Sequence, residues 1–485
     1  MIFNSLEYFL FLPIVFVLFW FVCQKSIKWQ NVLLILSSYF FYGWWDWRFL
    51  GLIVLSSVLD YTLGVQIDST DNKKKRKGFL WVSILVNLGI LAFFKYFNFF
   101  VDSTEIMLNN LGMQADFFTL NILLPVGISF YTFQTLSYTI DVYKKEIKAS
   151  HDPLAFFAYV AFFPQLVAGP IERAKNFIPQ FSKEKKFNYN DAVDGCRQML
   201  WGFFKKVVIA DSCSPFVDQI FADPSTCSSP LLMVGAVLFA FQIYGDFSGY
   251  TDIALGTARL FGFNLMRNFA YPYFSRDIAE FWRRWHISLS SWFKDYLYFP
   301  LGGSRGSQAL KVRNTFAIFL VSGFWHGANW TFIFWGGLNA LYFLPSLLMK
   351  TNRRNVGTVA ENTMLPSFRE FYQIIITFFL TCIAWIFFRA TSITHGFNYI
   401  IEMFSFKSIS LMSYFKKLSL NVNDFYILIF FIAVLIVVEW IQRKYQHGLE
   451  RLNFPAPLRW FVYFLVTIVV LYHFGEESEF IYFQF

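Results

Sequence analysis

Charge is scarce in this chain: Asp, Glu, Lys and Arg make up 15% of its 485 residues, against about 25% in soluble proteins. Hydrophobic residues reach 56% and aromatics 22%, with a mean hydropathy of +0.45. A soluble globular fold is thereby excluded, and the chain reads as an all-α, polytopic membrane protein. Cysteine is also sparse. Cys23, Cys196, Cys213, Cys227 and Cys382 show no C-x-x-C or other metal spacing, which argues against structural zinc and a disulfide framework and leaves buried small hydrophobes. His151, His395, His447 and His473 are scattered, so no metal site is expected. No polar stretch approaches the ~50 residues at which soluble domains begin, so residues 1–485 read as one membrane domain. Leu6 to Val22 has no positive flank before it and no small-residue cleavage site after it, and it reads as a retained span.

The net charge of +9 does not point to nucleic acid, because Lys and Arg lie in short runs between apolar blocks, as the positive-inside rule expects. Lys73, Lys74, Lys75, Arg76 and Lys77 form the densest run and belong in the cytoplasm. Counting back through Phe49 to Val65, Val32 to Tyr42 and Leu6 to Val22 puts Lys25 and Lys28 on the same side and the N-terminus outside. Counting forward, Phe79 to Phe97 leads out, Val101 to Phe118 is an external loop, and Leu120 to Ile140 returns. Leu154 to Ala168 is short, interrupted by Pro164 and flanked by basic loops, which predicts a re-entrant or interfacial segment in place of a full crossing. Further spans are expected at Leu231 to Tyr244, within Phe316 to Leu348, and at Phe371 to Phe388, Phe425 to Trp440 and Trp460 to Phe474. With ambiguous pieces at Met199 to Ala210 and Thr251 to Leu260, the count is about eleven to thirteen membrane-embedded helices, at about 20 residues per full span.

What is present is most informative at two histidines. His326 sits inside the apolar stretch Thr315 to Met349, where an ionisable group costs roughly 2.5 kcal/mol or more unless it faces a cavity or partner. The default reading is a functional site, and the plainer one is an imidazole that bonds a backbone carbonyl between helices. Ser275 to Pro300 repeats Ile278, Phe281, Trp282, Trp285, Leu289, Trp292 and Phe293 at helical spacing, with Arg283, Arg284 and Lys294 off that stripe. It predicts one amphipathic basic helix with Ser275 as N-cap. Such a helix can simply lie on an anionic leaflet, but His286 shares the apolar face and points inward. Phe241 to Ala254 places Asp246, Ser248, Tyr250 and Asp252 among glycines after a span, which reads as a polar helix break or a tight turn. Pro300 to Gly306 is a Gly-rich loop whose Arg305 is a candidate phosphate contact, without any Walker-type spacing.

Several long blocks carry a resemblance: SFYTFQTLSYTIDVY (129–143), FFPQLVAGPIERAKNFIPQF (162–181), YGDFSGYTDIALGTARLFGFNL (244–265), NFAYPYFSRDIAEFWRRWHISLSSWFKDYLYFPLGG (268–303), FWHGANWTFIFWGG (324–337) and FIYFQF (480–485). Together they resemble the membrane-bound O-acyltransferase (MBOAT) family, in the branch of the alginate O-acetylation proteins, over essentially the whole chain. The resemblance implies an MBOAT fold of helices around a central channel, with a catalytic core over approximately residues 120–350. It places the catalytic histidine at His326 and its companion at His286, each preceded in the chain by a candidate tryptophan, Trp325 and Trp285.

The implied chemistry is acyl transfer from a thioester to a hydroxyl, which needs a base. An imidazole with a reference pKa of about 6.5 suits that near neutral pH. Tyr250, Ser290 and Asn329 are alternative donors to the oxyanion, Asp246 is a further candidate, and Arg283, Arg284 and Arg305 are candidates for a phosphate-bearing donor such as acetyl-CoA. No tightly bound cofactor is expected. The resemblance implies O-acetylation of a cell-surface polysaccharide or peptidoglycan at the bacterial inner membrane, with a separate extracytoplasmic SGNH-type partner. The alternatives are D-alanyl transfer to teichoic acid, as in a related branch, and a non-catalytic channel or transporter with a histidine proton relay.

Overall fold

Hydrocarbon offers no hydrogen bonds to exposed backbone, so a helix, which satisfies its own N–H and C=O groups, is the element such a composition requires. The computed structural model describes residues 1–113, 120, 122–167, 169–407, 421–475 and 480–481, and among them every regular element is helical. Six stretches are long and apolar enough to cross a membrane: Ile27–Ser69, Lys73–Asn110, Ser229–Leu260, Trp330–Leu348, Phe368–Arg389 and Val422–Ile441. Leu6–Val22 and Ala456–Tyr472 are apolar but shorter. The chain forms two units, one of Met1–Gly195 with Thr257–Met266, the other of Cys196–Gly256 with Arg267–Phe485.

In the first unit, α1 (Leu6–Val17), α2 (Ile27–Asp46), α3 (Leu50–Ser69) and α4 (Lys73–Leu91) follow the expected spans. Ser5, Ser26 and Asn72 cap α1, α2 and α4 by accepting from backbone N–H groups of the first turn. The expected loop at Val101 to Phe118 is instead helical as far as Asn110, in α5 (Phe97–Asn110). No Pro or Gly interrupts residues 92–110, so nothing stops the helix, and residues 114–119 lie outside the described part. The returning span is shorter than expected: α6 (Ile128–Tyr143) starts only after Gly127, whose φ of +75° turns the chain. Asp60 of α3 ties these helices together, accepting from Ser83 at 2.5 Å and Asn87 at 2.8 Å on α4 and from Thr139 at 3.2 Å on α6. Such hydrogen bonds replace the hydrophobic drive that lipid-facing helices lack. The segment from Leu154 is broken as expected: α7 (Pro153–Ala161) and α8 (Phe163–Leu166) meet at Phe162, and the Ser38 hydroxyl accepts from the Phe163 N–H at 3.0 Å. Both pieces are far below the ~20 residues of a crossing; Ala168 itself lies outside the described residues. α9 (Ala174–Phe181) and α10 (Tyr189–Phe203) follow.

In the second unit the chain passes from α10 through a π-helical stretch, Phe204–Asp211, into α11 (Ser212–Ala222), so Met199 to Ala210 is helical. The expected break at Phe241 to Ala254 is absent. α12 (Ser229–Leu260) is one helix of 32 residues, because its glycines serve close packing: a Cβ on Gly249 would lie 2.7 Å from the Gly202 carbonyl oxygen. The amphipathic segment is also not one helix. α13 (Ile278–Arg284), capped by Asp277 and not by Ser275, and α14 (Ile287–Phe293) are separated by Trp285 and His286, with His286 in the left-handed region at φ +43°. Two backbone bonds to the preceding segment hold this kink, Ala270 N–H to Arg284 O at 3.0 Å and Ile287 N–H to Asn268 O at 2.9 Å.

The Phe316 to Leu348 region is a hairpin of α15 (Gln308–His326) and α16 (Trp330–Leu348). α17 (Phe368–Arg389), opened by a Ser367/Glu370 capping box, packs on α16; α18 (Ile393–Met403), α19 (Val422–Ile441) and α20 (Ala456–Tyr472) complete the described elements. The hairpin arms touch backbone to backbone, since a Cβ on Gly323 would overlap the Phe332 carbonyl and one on Gly336 the Phe319 carbonyl. Gly336→Ala is therefore expected to destabilise the protein by about 1–3 kcal/mol, read as a lower thermal midpoint in detergent. Gly337→Ala, whose added carbon meets only the Leu320 side chain at 3.6 Å, is the neutral control; equal midpoints for the two variants contradict this packing.

Candidate active site

The α15–α16 hairpin ends α15 on His326, which is 3% exposed. Its imidazole is walled by rings, with centroids at 5.0 Å to Trp325, 5.2 Å to Trp335 and 5.5 Å to Phe388. The α13–α14 kink turns His286 inward, 1% exposed, with Phe247 of α12 at 4.7 Å and Trp325 at 6.1 Å. Both imidazoles thus lie against the ring of Trp325. Trp285 belongs to the same wall: it meets Trp385 at 5.0 Å, Trp385 stacks on Trp335 at 5.6 Å, and Trp335 is the ring against His326.

Burial in this apolar wall disfavours an imidazolium. The pKa of His286 is pushed down, from an ordinary 6.5 to about 3. Because the folded value lies below the unfolded one, the ring is neutral across the physiological range, and the cost of burying it in charged form appears only as pH falls below about 6.5.

Asp246 and Tyr250 stand on α12, one turn apart and on either side of Phe247. Lys206 of the π-helical stretch lies between two carboxylates, Asp246 at 2.7 Å and Asp211 at 2.8 Å. The other Asp246 oxygen accepts from the Ile481 N–H at 2.6 Å, and Phe480 packs on Tyr250 at 4.8 Å and Phe247 at 6.1 Å. The chain near its C-terminus therefore closes the side of the histidine chamber that α12 forms. A second buried pair lies one and a half turns further on: Lys205 holds Asp252 at 2.6 Å, and Gln198 donates to the same carboxylate at 2.8 Å. Beside it the Tyr244 hydroxyl donates to Glu439 of α19 at 2.9 Å. A small cavity of about 10 Å³, room for a single water, lies among Lys205, Tyr244, Asp252, Arg267, Asn268 and Glu439 and adjoins the kink that carries His286.

The remaining predicted residues are not gathered at the two imidazoles. Arg284 is clamped to buried Glu280 at 2.9 Å and to the Gly357 carbonyl at 2.9 Å, while Arg283 donates to the carbonyls of Asn352 at 2.6 Å and Asn355 at 2.7 Å. These guanidiniums fasten α13 to the 352–357 loop. Arg305 is exposed in the loop before α15. Ser290 donates to the Trp285 carbonyl at 3.4 Å, and Asn329 is the N-cap of α16, accepting from the Thr331 N–H at 3.0 Å. Among the described residues no group of three or more His, Cys, Asp or Glu is placed to hold a metal ion.

Sequence reasoning missed Asn268, Lys205, Lys206, Glu280 and Glu439. The lysines carried a signal, since two cations in one apolar stretch call for anions in another, and Asp246 and Asp252 supply them. Glu280 had the i,i+4 spacing to Arg284. Lys206→Met leaves two buried carboxylates facing each other without their cation and is expected to cost about 3–5 kcal/mol, seen as loss of the folded species on size exclusion or a sharply lowered melting temperature. An unchanged melting temperature contradicts the role assigned to this triad.

Comparison with known proteins bears on what this chamber is. The sequence profile described as "MBOAT, membrane-bound O-acyltransferase family" matches residues 39–389. The chain is 39% identical to the "Probable alginate O-acetylase" of Azotobacter vinelandii over 410 residues, 84% of this chain and 78% of that protein. It is 35% identical to the "Peptidoglycan O-acetyltransferase" of Helicobacter pylori over 87% of this chain and 84% of that protein. Similarity to the "Teichoic acid D-alanyltransferase" of Bacillus subtilis is lower, 27% over 57% of this chain and 71% of that protein. A multi-pass helical protein with two buried imidazoles against one tryptophan, matched over most of its length by these relatives, belongs to the membrane-bound O-acyltransferase family.

Proposed function

We propose that this acyltransferase moves acetyl groups from a thioester donor to hydroxyls of a cell-surface polysaccharide or peptidoglycan, with His326 as the base and His286 as its companion. The observation that carries this reading is the pair of buried imidazoles sharing the Trp325 ring, and the higher identity to the O-acetylating relatives favours acetyl over D-alanyl. In the reaction the hydroxyl oxygen attacks the thioester carbonyl while an imidazole nitrogen of His326 takes its proton. The tetrahedral oxyanion collapses, the C–S bond breaks, and the departing thiolate recovers that proton. Dry aromatic walls strengthen any dipole directed at the oxyanion, and Tyr250, beside the chamber on α12, is the donor we favour.

Acetyl-CoA or another thioester is the proposed donor, approaching from the cytoplasmic side past the loop of Arg305. Arg283 and Arg284 support that approach by holding the 352–357 loop. The proposed setting is the bacterial inner membrane with the N-terminus outside, and the acceptor side is served by a separate extracytoplasmic SGNH-type partner.

Acetyl transfer from a labelled thioester in membranes tests the reading. His326→Ala is expected to lower turnover by about 10²–10⁴-fold, the usual worth of a general base, while the protein still purifies as a folded species. His286→Gln, which keeps hydrogen-bonding capacity, is expected to retain part of the activity, and His326→Gln essentially none. Transfer at the wild-type level in His326→Ala contradicts the catalytic assignment. Loss of solute flux without any acylation defect would favour a proton-relay transporter instead.

A further inference from the structure

Asn268 lies fully buried in the segment before α13. Its Oδ1 accepts from the Ser288 N–H at 3.1 Å and from the Ser288 hydroxyl at 2.7 Å, and it faces Nδ1 of His286 at 3.3 Å. A backbone N–H can only donate, so the atom turned toward this kink is the amide oxygen; the reverse orientation would set NH₂ against N–H. An unprotonated Nδ1 would set its lone pair against that oxygen at 3.3 Å, so the ring proton sits on Nδ1. A neutral imidazole carries one ring proton, and burial keeps this ring neutral, so Nε2 holds the lone pair. The same residue fixes the backbone, because its carbonyl accepts from the Ile287 N–H at 2.9 Å. His286 is thereby held at φ +43°, a left-handed conformation that a non-glycine residue adopts only at a cost in strain.

We propose that Asn268 is a positioning residue that locks His286 in the Nδ1–H tautomer, so that Nε2 acts as a hydrogen-bond acceptor toward a proton-bearing substrate group, the attacking hydroxyl. This rests on the reading of His286 as companion to His326 and sharpens it. His286 then holds and aligns the hydroxyl that His326 deprotonates. It does not donate to the thioester carbonyl, and the oxyanion must be met by other groups.

The first test is independent of what the protein acylates. In ¹⁵N-histidine-labelled full-length protein, the His286 signals, assigned by their loss in His286→Gln, are expected to report a protonated Nδ1 and an unprotonated Nε2. A protonated Nε2 overturns the proposal even if His326-dependent transfer is intact, whereas absence of His326-dependent transfer counts against the functional reading alone. The second test is kinetic. Asn268→Ala is expected to lower kcat by about 10- to 100-fold, the range seen when a partner that orients a histidine is removed, with little change in donor KM. In a His286→Gln background the same change is expected to cost under about threefold, because residues acting through one another are not additive. Asn268→Asp keeps the acceptor oxygen and is expected to restore activity, with the acid limb of the pH profile moved to higher pH as the carboxylate raises the basicity of His286. An equal loss from Asn268→Ala in both backgrounds, with Asn268→Asp no better than Asn268→Ala, assigns Asn268 to fold maintenance and overturns the proposal.

Discussion

Neutralisation of charge inside α12 is the constraint on which the second unit depends. Asp246 and Asp252 lie on a 32-residue helix whose surroundings cannot solvate a carboxylate, and a bare charge in such a place is prohibitive. Lys206 and Lys205, side by side on the π-helical stretch, supply a cation for each at 2.7 and 2.6 Å. Because these charges are met side chain to side chain, the backbone of α12 needs no break and can run straight past the chamber, presenting Phe247 to His286. The second oxygen of Asp246 then receives the Ile481 N–H, so one carboxylate joins α12, the π-helical stretch and the chain near its C-terminus.

The chamber follows from that frame. Two imidazoles, each nearly excluded from solvent, share the Trp325 ring, and the tryptophans at 285, 335 and 385 extend the wall. Apolar surroundings keep the His286 ring neutral, and a neutral imidazole has a nitrogen lone pair with which to accept a proton. They also leave few polar atoms to orient those rings, and the left-handed kink at His286 is where the fold supplies such an atom, in Asn268. Backbone strain at one residue and orientation of one ring are thus produced by a single side chain.

Much of this was legible in the sequence, for physical reasons. Long apolar runs are enforced by lipid and read directly: α2, α3, α17, α19 and the hairpin of α15 and α16 fall where hydropathy put them. His326 and His286 stood out because ionisable groups are costly in apolar company. What misled was the dual meaning of glycine and of kinks. Gly245 and Gly249 beside Asp246 and Ser248 suggested a broken helix, yet there they allow close approach of the neighbouring backbone. The hydrophobic stripe from Ile278 to Phe293 continued in register across Trp285 and His286, so periodicity could not reveal the kink; bonds from Asn268 and Ala270, residues outside that stripe, create it. Arg283 and Arg284 looked like ligand contacts because their carbonyl partners, at Asn352, Asn355 and Gly357, come from a loop some 70 residues later.

The central proposal is that the buried imidazole at position 326 is the base for acetylation of an envelope glycan. Mass spectrometry of envelope glycans tests it most directly, in cells lacking the protein and complemented with either the wild type or His326→Ala at matched expression. The account predicts acetylated glycan with the wild type and none above the deletion background with His326→Ala. Acetylation restored equally by both proteins would contradict it.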